Sequence, residues 1–345
     1  MSDNAASLTC QSCGAEISPG LLACPWCDRL VYSARLSNLA EEAMAAQQAG
    51  DISQALACWR TAIDLLPPGT NQSKLIHAQI EQLGRQLDKP STPAPDAESS
   101  RERSLAGKAV AGLGFFGMLL WKLKVVLLFV ITKGKLLLLG LTKASTFLSM
   151  FTFFAVYWAA WGWPFALGFV VSIYIHEMGH VDALRRYGFK ATAPMFIPGL
   201  GALIRLQQHP TNPAEDARIG LAGPLWGMGA ALASYLVFLA TGEKVWAAIA
   251  HMGAFLNIFN LFPIGPLDGG RGFRALSRNQ ALLTTAALGT AWFLTDENMV
   301  LLVAIVALFQ ALAKRKDVQP DRTAFLLFLL LVASLSSLLY VCGRG

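Results

Sequence analysis

The sequence predicts an all-α, multi-pass membrane protein with about seven transmembrane helices and a small cytosolic head. Two observations carry this. Hydrophobic residues make up 54% of the 345 and charged residues only 14%, a balance rare in water-soluble chains. The apolar residues are also segregated: residues 1–104 read as soluble, whereas almost everything from Ala109 to Val341 falls in long apolar runs. The N-terminus, MSDNAASLTCQSC, has neither a basic n-region nor an apolar h-region, so the soluble part is expected to stay in the cytosol. The net charge of +6 calls for no nucleic-acid partner, because many Lys and Arg lie between apolar spans, where they would face an anionic cytoplasmic leaflet.

Within the head, Cys10-x2-Cys13 is followed after ten residues by Cys24-x2-Cys27, with Gly14, Pro19, Gly20 and Pro25 setting turns around both pairs. A reducing compartment favours thiolate–metal bonds over disulfides. Four thiolates at this spacing can close a tetrahedral site and fold a segment too small for its own core. The pattern resembles a short zinc ribbon over residues 1–33 and predicts one structural Zn2+. A closed four-thiolate site has no open position for substrate, so it is assigned no catalysis.

Residues 34–88 follow as a helical hairpin. Helical spacing from Leu36 to Pro67, interrupted at Gly50-Asp51, predicts two antiparallel helices. Gly50, Ala55, Trp59, Ala62 and Pro67 resemble a single tetratricopeptide repeat that lacks the usual aromatic of the first helix. Ser73 to Leu87 is expected as a third helix capping the pair, since one repeat cannot bury its apolar face alone. Such a head could dock a cytosolic protein partner through residues 1–88, or could pack only on itself. Cys58 reads as a packed thiol. Residues 89–105, rich in Pro, Ser and charge, read as a flexible linker.

Apolar runs then occur at 144–161, 164–175, 219–240, 245–262, 281–294, 299–313 and 324–341. Several are shorter than the ~20 residues that a perpendicular span needs, which implies tilt or local thinning. If the runs alternate, Arg185, Arg186, Arg218, Arg271, Arg274, Arg278, Lys314, Arg315 and Lys316 all fall on one side, the cytosolic one. Residues 106–143 are interrupted by Lys122, Lys124, Lys133 and Lys135; they must cross an even number of times, and lying at the interface is the preferred reading. A membrane core over 144–280 and further transmembrane helices over 281–345 complete the expected organisation. The expected setting is a cell membrane of the bacterial inner-membrane kind, with a cytosolic N-terminus.

The chemistry sits in the second apolar run. His176-Glu177-Met178-Gly179-His180 places two imidazoles four residues apart, so both leave one helix face and can share a zinc ion. Glu177 sits beside them. Zinc lowers the pKa of a bound water towards neutrality, and an adjacent carboxylate can take its proton as it attacks a peptide carbonyl. A helix beginning at Pro164 would put His176 roughly 18 Å along its axis, inside the membrane boundary. Polar groups at that depth are expensive unless they line a cavity and do something there. A third ligand must come from elsewhere, and the candidate regions are His251 and the stretch from Asn257 to Gly270.

Here the chain resembles the site-2 protease family of intramembrane metalloproteases. HEMGH matches the family's first motif, and Asn260, Pro263, Leu267, Asp268 and Gly269 match its second, an Asn-x-x-Pro followed by Leu-Asp-Gly. Residues 144–275 carry the resemblance; the head does not. The resemblance implies Asp268 as third ligand of a catalytic Zn2+ and Asn260 as a polar partner near the reacting carbonyl. Ala222-Gly223-Pro224 also matches, although the polar residue often found a few positions later is replaced by Gly227-Met228-Gly229, leaving that span's contribution open. The resemblance further implies that Lys190 to Leu206, broken by Pro194, Pro198, Gly199 and Gly201, forms a re-entrant β-like loop that could hold a substrate strand. Glycines 265, 269 and 270 with prolines 263 and 266 are expected to unwind the chain beside Asp268. His251 reads as a bundle-facing polar residue, and Asn257 as a second polar contact or interhelical glue.

The leading expectation is hydrolysis of peptide bonds in or near a transmembrane segment of a membrane protein substrate. The alternative is a proteolytically silent, zinc-binding membrane scaffold acting through its head. A metal transporter is disfavoured. Glu177 discriminates, because a scaffold has no use for a base.

Overall fold

The structure is a computed structural model and describes residues 8–88, 144–190, 195–197, 201–203, 210, 212–265, 267–313 and 319–343. The expected linker, the 106–143 segment, His209 and the basic run 314–316 lie outside the described residues. The chain divides into two compact units: Met1–Ser91 with Leu184–Ala191 and Gln207–Asn212, and Thr92–Ala183 with Thr192–Leu206 and Pro213–Gly345.

The first unit opens with a small antiparallel hairpin, β1 (Leu8–Thr9) against β2 (Glu16–Ile17). Both cysteine pairs are built alike. The residue after the second cysteine of each pair turns left-handed, Gly14 at φ 73° and Asp28 at φ 53°. Each then donates its N–H back to the first cysteine's carbonyl at 2.9 Å. These two turns gather the four sulfurs.

Three helices follow: α1 (Ser33–Gln48), α2 (Ile52–Ile63) and α3 (Asn71–Asp88). Gly50, at φ 76°, ends the first, and the Asp51 carboxylate caps the second by accepting the Gln54 N–H at 2.9 Å. Leu39, Ala43, Cys58 and Ala62 bury one seam and Leu56, Ile80 and Leu83 another, so Cys58 is a packed thiol as expected. Leu184–Ala191 belongs to this unit. There the Arg60 Nε donates to the Tyr187 carbonyl at 2.8 Å, and its guanidinium lies 3.6 Å from the centre of the Phe189 ring.

The second unit is helical apart from one hairpin. Its helices are α4 (Ala144–Trp161), α5 (Trp163–Arg186, whose last turn falls in the first unit), α6 (Pro213–Thr241), α7 (Lys244–Asn260), α8 (Asp268–Arg274), α9 (Arg278–Thr295), α10 (Asn298–Leu312) and α11 (Arg322–Gly343). Among the described residues, α6 and α11 are long and apolar enough to cross a membrane by length and composition. By comparison, α7 and α10 have 17 and 15 residues, and the apolar run of α5 is interrupted by HEMGH. Between α5 and α6, β3 (Met195–Ile197) pairs antiparallel with β4 (Gly201–Leu203), a hairpin within the stretch expected to be β-like.

Two apolar clusters hold this unit. One joins Phe328, Leu331 and Leu335 of α11 to Ile258 and Leu261 at the end of α7 and Leu288 of α9. The other packs Phe153 of α4 on Phe169, Ile173 and Met178 of α5 and Ile249 of α7. Charge closes one end. Arg218 forks onto Asp321 at 2.7 and 3.0 Å, and Arg271 and Arg274 reach Asp216 at 2.8 and 2.9 Å. The starts of α6 and α11 and the whole of α8 therefore meet there.

One expectation needs correcting. Gly269 and Gly270 do not unwind the chain; they lie inside α8, which Asp268 opens, and the irregular residues described before it are 261–265 and 267. These glycines are needed for space. A Cβ at Gly269 would overlap the Leu261 carbonyl, and one at Gly270 would come within 2.6 Å of the Ile264 carbonyl. The short helix thus folds directly back against the end of α7.

Candidate metal centre

One turn of α5 carries both imidazoles. His176 and His180 are 2% and 7% exposed, and their Nε2 atoms lie 3.2 Å apart on the same helix face. Asp268, brought in by the first turn of α8, places Oδ2 3.1 Å from His176 Nε2 and Oδ1 3.2 Å from His180 Nε2. Zinc–ligand bonds near 2.0–2.1 Å in tetrahedral array would separate donors by about 3.3 Å. Two imidazole nitrogens and the Asp268 carboxylate at these distances fit a zinc ion, with a fourth position left for water or substrate.

The surroundings are cut to the same shape. A Cβ at Gly223 of α6 would overlap His180 Nε2 and lie 2.7 Å from His176 Nε2, so only glycine leaves the metal's space clear on that side. Gly179, inside HEMGH, lets α6 approach: a Cβ there would stand 2.5 Å from the Ala222 carbonyl. Gly220, one turn before Gly223, would meet the Asp268 carbonyl at 3.0 Å. Sequence reasoning marked Gly223 only as part of a motif, and the neighbouring small residues were its one available signal.

Each imidazole is oriented from behind. His180 Nδ1 lies 2.8 Å from the Ile219 carbonyl, and His176 Nδ1 lies 2.8 Å from the Asn257 amide oxygen. A carbonyl partner requires Nδ1–H, so both Nε2 lone pairs face Asp268 and the metal position. Glu177 is 6% exposed on the adjacent helix position. Asn260 Nδ2 stands 3.3 Å from His176 Nε2, at the edge of the donor cluster. His251 is not part of that cluster; its Nδ1 is buried with no hydrogen-bond partner.

The second cluster lies in the first unit. Cys10, Cys13, Cys24 and Cys27 bring their sulfurs within 4.8 Å of one another, with Cys10–Cys27 and Cys13–Cys24 at 3.7 Å. Tetrahedral zinc with Zn–S bonds near 2.3 Å would hold sulfurs about 3.8 Å apart. The N–H groups of Cys13 and Ser12 bring the Cys10 thiol down to about 6, whereas desolvation and the neighbouring sulfurs push the Cys13 and Cys27 thiols up.

Residues 164–243 match Peptidase family M50. That stretch covers α5 and α6, and with them HEMGH and Gly223, and ends before Asp268. A zinc metalloprotease of Methanocaldococcus jannaschii is 32% identical over 127 residues, 35% of each chain. A protein of Arabidopsis thaliana described as a probable chloroplastic zinc metalloprotease is 25% identical over 227 residues, 50% of this chain and 41% of that one. The chain spans roughly a third to two-fifths of the length of these curated relatives. Residues 164–243 are thus similar to Peptidase family M50, and the chain is similar over part of its length to zinc metalloproteases.

Proposed function

We propose that this protein is a zinc-dependent intramembrane metalloprotease that hydrolyses peptide bonds in or near transmembrane segments of other membrane proteins. The observation that carries this reading is the convergence of His176, His180 and Asp268 over the clearing left by Gly223, with Glu177 buried on the next position of the same helix. A metal-free polar cluster of that kind would be costly among apolar helices. Zinc, when bound, supplies a Lewis acid for the scissile carbonyl and acidifies the attacking water.

The chain's own groups do the rest. Glu177 takes the proton of the attacking water and later gives it to the departing amine, as a general base and then a general acid. Asn260, at the rim of the donor cluster, is positioned to donate its amide N–H to the oxygen on which negative charge develops. The β3–β4 hairpin offers an edge to which an extended peptide could add as a further strand. Substrate must be extended at the cut, because a helix keeps its carbonyls in hydrogen bonds.

A membrane setting accounts for the outer surface. Phe293 is 81% and Phe309 70% exposed, an unfavourable arrangement in water and an ordinary one against lipid. Trp158, Trp161 and Trp163 are exposed around the α4–α5 turn, where an aromatic belt would lie. Seven spans, with α8 as a short inserted helix and the N-terminus in the cytosol, fit the charged end formed by Asp216, Arg218, Arg271, Arg274 and Asp321 as the cytosolic face. Four cysteine thiolates would hold a second, structural zinc in a head that recruits a cytosolic partner or substrate tail.

Metal dependence tests this reading. Complete removal of zinc from purified full-length protein by a chelator should abolish cleavage of a membrane-spanning test substrate, and added zinc should restore it. Undiminished cleavage after metal analysis shows no zinc would contradict the proposal.

A further inference from the structure

The two imidazoles of the metal centre are oriented in different ways. His180 leans on a main-chain carbonyl, that of Ile219, which no substitution can remove. His176 depends on a side chain from another helix, Asn257 of α7, which is 3% exposed. The amide of Asn257 has no freedom to turn. Its Nδ2 donates to the Gly253 carbonyl at 2.7 Å, one turn back on α7, so its oxygen is the atom left to face His176. That oxygen can only accept, and it therefore selects the Nδ1–H form of His176 and leaves the Nε2 lone pair turned towards Asp268.

The facing helix is shaped around this amide. A Cβ at Gly227 of α6 would overlap Asn257 Oδ1 and come within 2.7 Å of its Cγ. Any side chain at position 227 would therefore occupy the space of the Asn257 amide. We infer that Asn257 is a positioning residue that fixes the tautomer and ring orientation of His176 for zinc, and that Gly227 is glycine in order to admit its amide.

This deepens the metalloprotease reading and rests on it. Zinc retention at the membrane site is measured on full-length protein against a graded series of chelator concentrations, with His176→Ala defining loss of that site. Asn257→Ala removes the acceptor and should weaken zinc retention about 10- to 100-fold, the usual consequence of losing the partner behind a ligating histidine. Asn257→Asp is nearly isosteric and, protonated on the oxygen that faces the Gly253 carbonyl as burial there favours, keeps both that donor and an acceptor oxygen towards Nδ1, so it should hold zinc within about threefold of the native chain. Equal retention by Asn257→Ala and the native chain would overturn the inference. So would equal losses in the Ala and Asp variants, because a packing role does not distinguish them by acceptor. Should Asn257→Ala fail to fold, Gly227→Ala asks the same question by pushing a methyl into the amide's place; native zinc retention in that variant would likewise overturn it. If the native chain and His176→Ala bind zinc alike, the metalloprotease reading itself fails, an outcome distinct from any result with Asn257.

Discussion

At the residue scale, the centre depends on what is missing as much as on what is present. Gly223 has no side chain between two imidazoles and the face of α6, and a methyl there would occupy the metal's own space. Gly223→Ala should therefore lose the membrane-site zinc and all measurable cleavage while the head's metal is retained. Native zinc content and activity in that variant would show that the donors do not converge as described. Part of this scale was legible in the sequence: the four-residue interval predicted that His176 and His180 share a helix face, and the family resemblance pointed to Asp268, which the structure brings to both imidazoles. Two things were not. Asn257 could be read equally as interhelical glue, since its role depends on which way an amide turns, and the purpose of Gly227 is visible only with the opposite helix in place.

At the element scale, the critical part is α8, seven residues that carry Asp268 to the histidines of α5. Its anchor is ionic. Asp216 of α6 receives both Arg271 and Arg274, and Arg271 retains one buried guanidinium nitrogen with no partner even so. Asp216→Asn would leave that guanidinium still poorer in partners, at a cost of about 2 kcal/mol. Denaturation of the detergent-solubilised protein should show that loss, together with weaker zinc retention through a loosened Asp268; an unchanged midpoint and unchanged zinc retention would mean that the clamp does not hold α8. The boundaries of α4, α9, α10 and α11 followed closely from apolar runs and turn residues, such as the left-handed Asp296 that closes α9. The short helix did not, because Gly269 and Gly270 are statistical helix breakers used here for close packing.

At the scale of the whole molecule, His176, Glu177, His180 and Asp268 are set among apolar helices, with a cysteine-built head in a separate compact unit. The change from a charged N-terminal hundred residues to long apolar runs predicts two solvents, water for the first and a bilayer for the second. The number of spans was less legible, since several helices are shortened or interrupted by polar chemistry. Whether the buried polar cluster hydrolyses peptide bonds or serves as a zinc-filled scaffold turns on the proposed base, Glu177. Glu177→Gln preserves shape and leaves all three ligands in place, removing only the group that takes the proton. The most direct measurement compares native full-length protein and Glu177→Gln, both shown to hold zinc, for cleavage of a membrane-spanning substrate in lipid. Equal zinc content and cleavage slowed by about 10²–10⁴ in the Gln variant are expected; equal rates in the two proteins would overturn the proposed hydrolysis.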